Sequence, residues 1–212
     1  MARSSAIVVA GGRGDRFGAP KQFLTLGDGR LVDHAVAAAG AVCDEVVVVL
    51  PEGQAWDGEA VAAVVAGDET RSGSVRAGLA AVDPETEIVV VHDAARPLAS
   101  TGLFELVIDT VRAGADGVVP AIEVVDTIKR VDGARVVETV PRAGLVAVQT
   151  PQAFRASTLR RAHAASADAT DDAALVEAVG GTVVVVAGEP TNLKVTTVAD
   201  LSLAGALLEA RT

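Results

Sequence analysis

Three observations predict an α/β fold with a doubly wound, mostly parallel sheet of Rossmann-like type. Short Val- and Ile-rich runs alternate along the chain with segments of helical period. Half of the 212 residues are hydrophobic but only 2% are aromatic. The core must therefore be filled by Ala and β-branched side chains, as in strands buried beneath Ala-rich helices. The first apolar run also ends in a cluster of glycines, where such a sheet opens its ligand crevice.

Taken in order, residues 6–10, 46–50, 88–91, 117–120, 145–148 and 182–186 read as buried strands. Segments 31–39, 72–82, 101–113, 156–165, 173–179 and 198–208 read as helices between or after them. The length suits a single domain over residues 1–212. One segment breaks the alternation: 124–131 and 135–140 are strand-like around Asp132-Gly133, a strong hairpin turn pair, with no helix between them. A hairpin at about 122–142 either projects as an arm that pairs with a second copy of the chain or folds back on its own sheet. Topology favours the arm, and with it a homodimer.

The net charge of −10 argues against broad nucleic-acid binding. No apolar run approaches the ~18 residues of a membrane span, and the first residues lack a signal-peptide pattern. A soluble, cytoplasmic protein with no membrane partner is expected. Cys43, the single cysteine, excludes an internal disulfide and a Cys-based zinc cluster. The charge is uneven: the first 30 residues hold five basic side chains against two acidic ones, compatible with a small anionic ligand there. There are only three lysines, Lys21, Lys129 and Lys194, against 15 arginines. In so Arg-biased a chain, a lysine marks a position that wants a compact point charge.

The segment from Ala10 through Gly11, Gly12, Arg13, Gly14, Asp15, Arg16, Phe17, Gly18, Ala19 and Pro20 to Lys21 follows the first strand. Glycines there let backbone N–H groups close around phosphate oxygens, and Arg16 and Lys21 add cations. A plain tight turn is the alternative. The Gly-Lys-Ser/Thr of a Walker A loop is absent. A dinucleotide fingerprint would need a glycine at Phe17 and an acidic residue about 20 positions on, at the end of a second strand that here closes only at Leu50. No Ser–His–Asp arrangement stands out as a nucleophilic site.

Ala-Gly-Gly-x-Gly-x-Arg-Phe-Gly followed by Pro-Lys-Gln resembles the signature of sugar-phosphate nucleotidyltransferases. Further motifs narrow the likeness: His92-Asp93-Ala94-Ala95-Arg96-Pro97, Asp126-Thr127-Ile128-Lys129, Pro141-Arg142-Ala143-Gly144-Leu145, Gln149-Thr150-Pro151-Gln152, Thr170-Asp171-Asp172 and Lys194-Val195-Thr196. Together they resemble the 2-C-methyl-D-erythritol 4-phosphate cytidylyltransferase family over nearly the whole chain. The resemblance implies CTP and a polyol phosphate as substrates, pyrophosphate as product, and Mg²⁺ carried mainly by the CTP phosphates, with Asp93 a candidate contact.

The resemblance also implies site residues. Arg16, Lys21 and Lys194 are the clamps on the phosphates and transition state. Ala10, Gly11, Gly12, Gly14, Gly67, Asp68, Ser74, Asp93 and Ala94 contact CTP, the base falling to Gly67 through Ser74. Asp93, Arg96, Thr127, Arg142 and Thr170 contact the polyol phosphate, with Thr127 and Arg142 reaching the site of a neighbouring subunit. Asp68 stands where relatives usually carry a second glycine, and Asp15 where many carry another polar or basic residue. His92 is read as structural, because no proton transfer is required of it. His34 and His163 receive no role, and Thr170-Asp171-Asp172 doubles as a helix N-cap with acidic first-turn residues. Ribitol-5-phosphate cytidylyltransferase is the nearest rival reading. A non-catalytic nucleotide-binding regulator and a dinucleotide-dependent oxidoreductase are the others.

Overall fold

In the computed structural model, which describes residues 2–12, 20–165, 169 and 171–211, one large sheet carries helices on both faces. In chain order the elements of the chain are β1 (Ser4–Val9), β2 (Thr25–Leu26), β3 (Gly29–Arg30), α1 (Leu31–Gly40), β4 (Glu45–Leu50), β5 (Ala63–Ala66), α2 (Arg71–Ala81) and β6 (Ile88–Asp93), β2 and β3 forming a small ribbon apart from the large sheet. There follow α3 (Thr101–Arg112), β7 (Gly117–Glu123), β8 (Ile128–Asp132), β9 (Arg135–Val140), β10 (Val146–Val148) and β11 (Gln152–Arg155). The chain closes with α4 (Ala156–Ala164), α5 (Asp172–Ala178), β12 (Val183–Ala187) and α6 (Val198–Glu209).

Strands β5, β4, β1 and β6 lie side by side and parallel. Antiparallel β11 separates β6 from β7. Strands β10 and β11 take successive stretches of one edge of β7, with Val148 opposite Ala121 and Phe154 opposite Gly117. Parallel β12 takes the other edge. From β1 the chain moves outward to β4 and β5, then returns to β6 on the far side of β1. The C-terminal ends of β1 and β6 therefore form a topological switch point, where open α/β sheets bind ligands.

Side chains alternate across the strands. Ala6, Val8, Val48 and Val90 meet Val32, Ala35, Phe104 and Val107 of α1 and α3. Ile7, Val47, Val49, Val89 and Val91 meet Val75, Leu79, Leu159 and Val176 of α2, α4 and α5. Burial on both faces explains why these strands read as unbroken apolar runs. A third, smaller cluster of Leu26, Leu31, Leu98, Val195 and Ala204 docks α6 and the β2–β3 ribbon. It brings residues 192–196 back beside β6, where Val195 N–H donates to Ala95 C=O at 2.8 Å.

The hairpin of β8 and β9 forms a two-stranded sheet of its own, apart from the main one. Its turn places Gly133 at φ +55°, a left-handed conformation that a side chain opposes. Its strand starts at Ile128, later than the expected 124. Two edges differ from the buried strands expected at 145–148 and 182–186. All of β10 is exposed, and β12, an edge strand, is only half covered. Residues 192–196 are irregular, held by loop contacts rather than by a ladder.

Candidate active site

At the switch point a cleft of about 560 Å³ opens, lined among others by Ala10, Gly11, Gly12, Lys21, Asp68, Arg71, Ser74, Asp93, Ala94 and Lys194. Backbone ladder bonds carry both walls to the rim: Ala10 N–H donates to Val49 C=O at 2.8 Å, and Ala94 N–H to Val9 C=O at 3.0 Å. The single turn Lys21–Phe23 is tied to the glycine loop by buried Gln22, whose Nε2 donates to Gly12 C=O at 3.0 Å.

Gly11 faces Gly67 across the cleft. A Cβ on Gly67 would stand 2.9 Å from Ser74 Oγ and 3.4 Å from Gly11 Cα, so only glycine lets these two loops touch. Ser74 Oγ accepts from Asp68 N–H at 3.0 Å and donates to Asp68 C=O at 3.3 Å, folding the 67–70 loop over the start of α2. That helix is capped by Thr70, whose hydroxyl accepts from Gly73 N–H.

Asp93 sits at the end of β6, only 8% exposed. Lys194 Nζ donates to its Oδ2 at 2.6 Å and Arg71 Nε to its Oδ1 at 3.2 Å. Burial alone would raise the Asp93 pKa, but Arg71 and Lys194 pull harder and hold it below the ordinary carboxylate range. Arg71 continues inward, donating from Nη1 to Asp172 Oδ2 at 2.7 Å. Among the described residues no three His, Cys, Asp or Glu side chains gather as a cation cage.

His92, behind Asp93, has no exposed surface. Its Nε2 faces the Arg96 C=O at 3.1 Å and so carries the proton. The Thr150 hydroxyl accepts from Asp93 N–H at 3.0 Å and donates to His92 Nδ1 at 3.1 Å. Burial pushes the His92 pKa down to about 4, so the ring is neutral at pH 7 and braces the Asp93 backbone. Arg96 turns its guanidinium to the carbonyls of Asn192 (2.8 Å) and Val148 (3.4 Å).

Of the residues expected from sequence, Ala10, Gly11, Gly12, Lys21, Asp68, Ser74, Asp93, Ala94 and Lys194 thus line one cleft, with Gly67 packed beneath its wall. Gly14, Arg16 and Thr170 lie outside the described residues. Thr127 and Arg142 are exposed at the base of the hairpin, and Arg142 lines a separate groove of about 420 Å³ with Val125, Leu145 and Val146. The Arg142 guanidinium donates to the Val125 carbonyl. Arg71, a cleft residue, was missed by sequence reasoning. In a chain of 15 arginines nothing local singles it out.

Glycine backbone, two lysines and a carboxylate bridged by Arg71 and Lys194, at the switch point of a doubly wound sheet, define the class of α/β protein whose crevice suits the phosphates of a nucleotide. The family model for 2-C-methyl-D-erythritol 4-phosphate cytidylyltransferase (IspD) matches residues 4–210, and the chain belongs to that family. It is 47% identical to the cytidylyltransferase of that name from Streptomyces coelicolor, over 99% of this chain and 86% of the relative. It is also 47% identical to the one from Nocardia farcinica, over 97% and 94%. The crystal structure of the Thermus thermophilus enzyme superposes with a TM-score of 0.85 at 36% identity, covering 99% of this chain and 100% of that one.

Proposed function

We propose that this enzyme transfers the cytidylyl group of CTP to 2-C-methyl-D-erythritol 4-phosphate, yielding 4-diphosphocytidyl-2-C-methyl-D-erythritol and pyrophosphate for isoprenoid precursor synthesis. The observation that carries this reading is the convergence of Lys21, Lys194, Asp93, Ser74 and the glycine loop on one cleft. An oxygen of the polyol phosphate attacks the α-phosphorus of CTP, a new P–O bond forms, and the bond to the β-phosphate oxygen breaks. No proton has to move, which agrees with a site whose nearest histidine is buried and neutral. What the protein supplies is alignment of two anions and neutralisation of the charge they bring together.

Lys21 and Lys194, with Arg16, would hold the phosphates and the transition state. The backbone of Ala10, Gly11, Gly12 and Gly14 would cradle the triphosphate. Gly67, Asp68 and Ser74 would read the cytosine edge, and Asp93 and Ala94 the ribose. A magnesium ion bound to the triphosphate would neutralise charge there, with Asp93 as its protein contact. Lys194 is paired to Asp93 and would be shared with, or released to, incoming phosphate. Arg96 would take the substrate phosphate by exchanging its carbonyl partners, and Thr170 would join it. Thr127 and Arg142 stand on the hairpin, outside the cleft of their own chain, which supports a homodimer in which each arm completes the neighbouring site. We place the enzyme in the cytoplasm with its water-soluble substrates. No helix among the described residues is long and apolar enough to cross a membrane.

Pyrophosphate release with CTP, Mg²⁺ and methylerythritol phosphate tests this directly. The wild-type protein is expected to turn over, and Lys21→Ala to lose about 10²–10³-fold in kcat, the scale of one lost transition-state contact. Ribitol 5-phosphate is expected to be the slower acceptor. Bound CTP without pyrophosphate release would mark a binding protein instead, and faster use of ribitol phosphate would reassign the acceptor.

A further inference from the structure

Behind the cleft, side chains of α4, α5 and α2 meet in a buried row that ends on Asp93. We propose that Asp172 and His163, neither of which lines the cleft, are positioning residues that act through Arg71 to set the Asp93–Lys194 pair. The proposal rests on the reaction assigned above.

Asp93 has two carboxylate oxygens, and each is engaged: Oδ1 by Arg71 Nε at 3.2 Å, Oδ2 by Lys194 Nζ at 2.6 Å. Turning the carboxylate toward one partner breaks its bond with the other. The far end of the Arg71 fork is held in turn, Nη1 donating to Asp172 Oδ2 at 2.7 Å. The other oxygen of Asp172 accepts from His163 Nε2 at 2.9 Å. Charge alternates inward along this row: Lys194, Asp93, Arg71, Asp172. Asp172 has no exposed surface and His163 only 4%, so protein partners rather than bulk solvent fix their orientation. Burial would raise the Asp172 pKa, but the bonds from His163 and Arg71 keep it lowered, so the row holds its charges at neutral pH.

A guanidinium is planar, so fixing Nη1 fixes where Nε points. Asp172 therefore decides the direction from which Arg71 meets Asp93, and the other edge of Asp93 decides where Lys194 stands. Where a reaction depends on positioning and charge, a displaced cation costs rate more than it costs ground-state binding. A residue serving folding alone would lower stability yet act on turnover independently of Lys194.

The test is a catalytic cycle of wild type, Asp172→Asn, Lys194→Ala and the double variant, assayed by pyrophosphate release on protein shown to be folded by thermal melting. Asp172→Asn is expected to lower kcat about 10- to 100-fold with the CTP KM within about threefold. In the Lys194→Ala background the same change is expected to cost little more. His163→Phe should lower kcat in the same direction, and His163→Gln, which keeps a donor for Asp172, should recover most of the rate. Losses that multiply independently of Lys194, or an unchanged kcat in folded Asp172→Asn, overturn the proposal. If Asp172→Asn does not fold, His163→Phe goes through the same cycle and the same two outcomes decide. Absence of release by the wild-type protein would count instead against the assigned reaction.

Discussion

Gly67 shows how much a single missing side chain does at this site. A Cβ there would crowd Gly11 and Ser74, so without one the 67–70 loop and the glycine loop pack directly together. Gly67→Ala would set a methyl 2.9 Å from Ser74 Oγ, where the hydroxyl must move and release Asp68 N–H. An overpacking cost of about 1–3 kcal/mol is expected, with a raised KM for CTP and a smaller change in kcat. Urea unfolding and steady-state kinetics check it, and a variant matching the wild type in both would show that the two loops have slack. Lys21 and Lys194 were legible in the sequence because lysine is rare here and both stand in distinctive company. Arg71 and Asp172 were not, for want of any such contrast. Asp172 read as an ordinary acidic residue in a first helical turn, while Asp171 is the N-cap, accepting from Ala174 N–H at 3.0 Å.

Among the elements, helices and buried strands were readable because their periods are local. Strands β5 and β11 were not. The first lies in an Ala-rich stretch that is ambiguous between strand and helix. The second has only Phe154 as a strong strand former, follows Pro151 and runs straight into α4. The hairpin was legible from Asp132-Gly133, and its apolar face is now explicit. Val131 and Val136 are cross-strand partners, 56% and 54% exposed. An apolar pair held out in water on a two-stranded sheet calls for cover. Replacing them as Val131→Lys with Val136→Glu keeps the hairpin through an opposite-charge pair while removing the apolar face. If the proposed homodimer forms through this face, sedimentation is expected to show a dimer for the wild type and a monomer for the variant, with turnover lost in parallel. A variant still dimeric and active would place the interface elsewhere.

At the scale of the whole molecule, the groups buried behind the cleft tie stability to pH. His92 is neutral in the native state, its pKa lowered to about 4 by burial, whereas in the unfolded chain it titrates near ~6.5. Between those values the unfolded state binds more protons, so His92 lowers stability progressively as pH falls from about 6.5 to about 4, by up to about 3 kcal/mol. Asp93 and Asp172, with lowered pKa values, add a further loss below the ordinary carboxylate range as they protonate. Urea unfolding at pH 7 and pH 5 should show this slope in the wild type and a shallower one in His92→Asn. Equal slopes would remove His92 from the account. By itself the sequence determined the layered α/β class, the glycine-rich segment with Lys21 at its end, and the hairpin, because composition, period and turn chemistry act between near neighbours. Only the tertiary structure decided that Arg71 bridges Asp93 and Asp172, or that Lys194 meets Asp93, pairs separated by 22, 101 and 101 positions. Strand order and helix docking bring those charges together, and no local pattern encodes which of many carboxylates a buried cation will find.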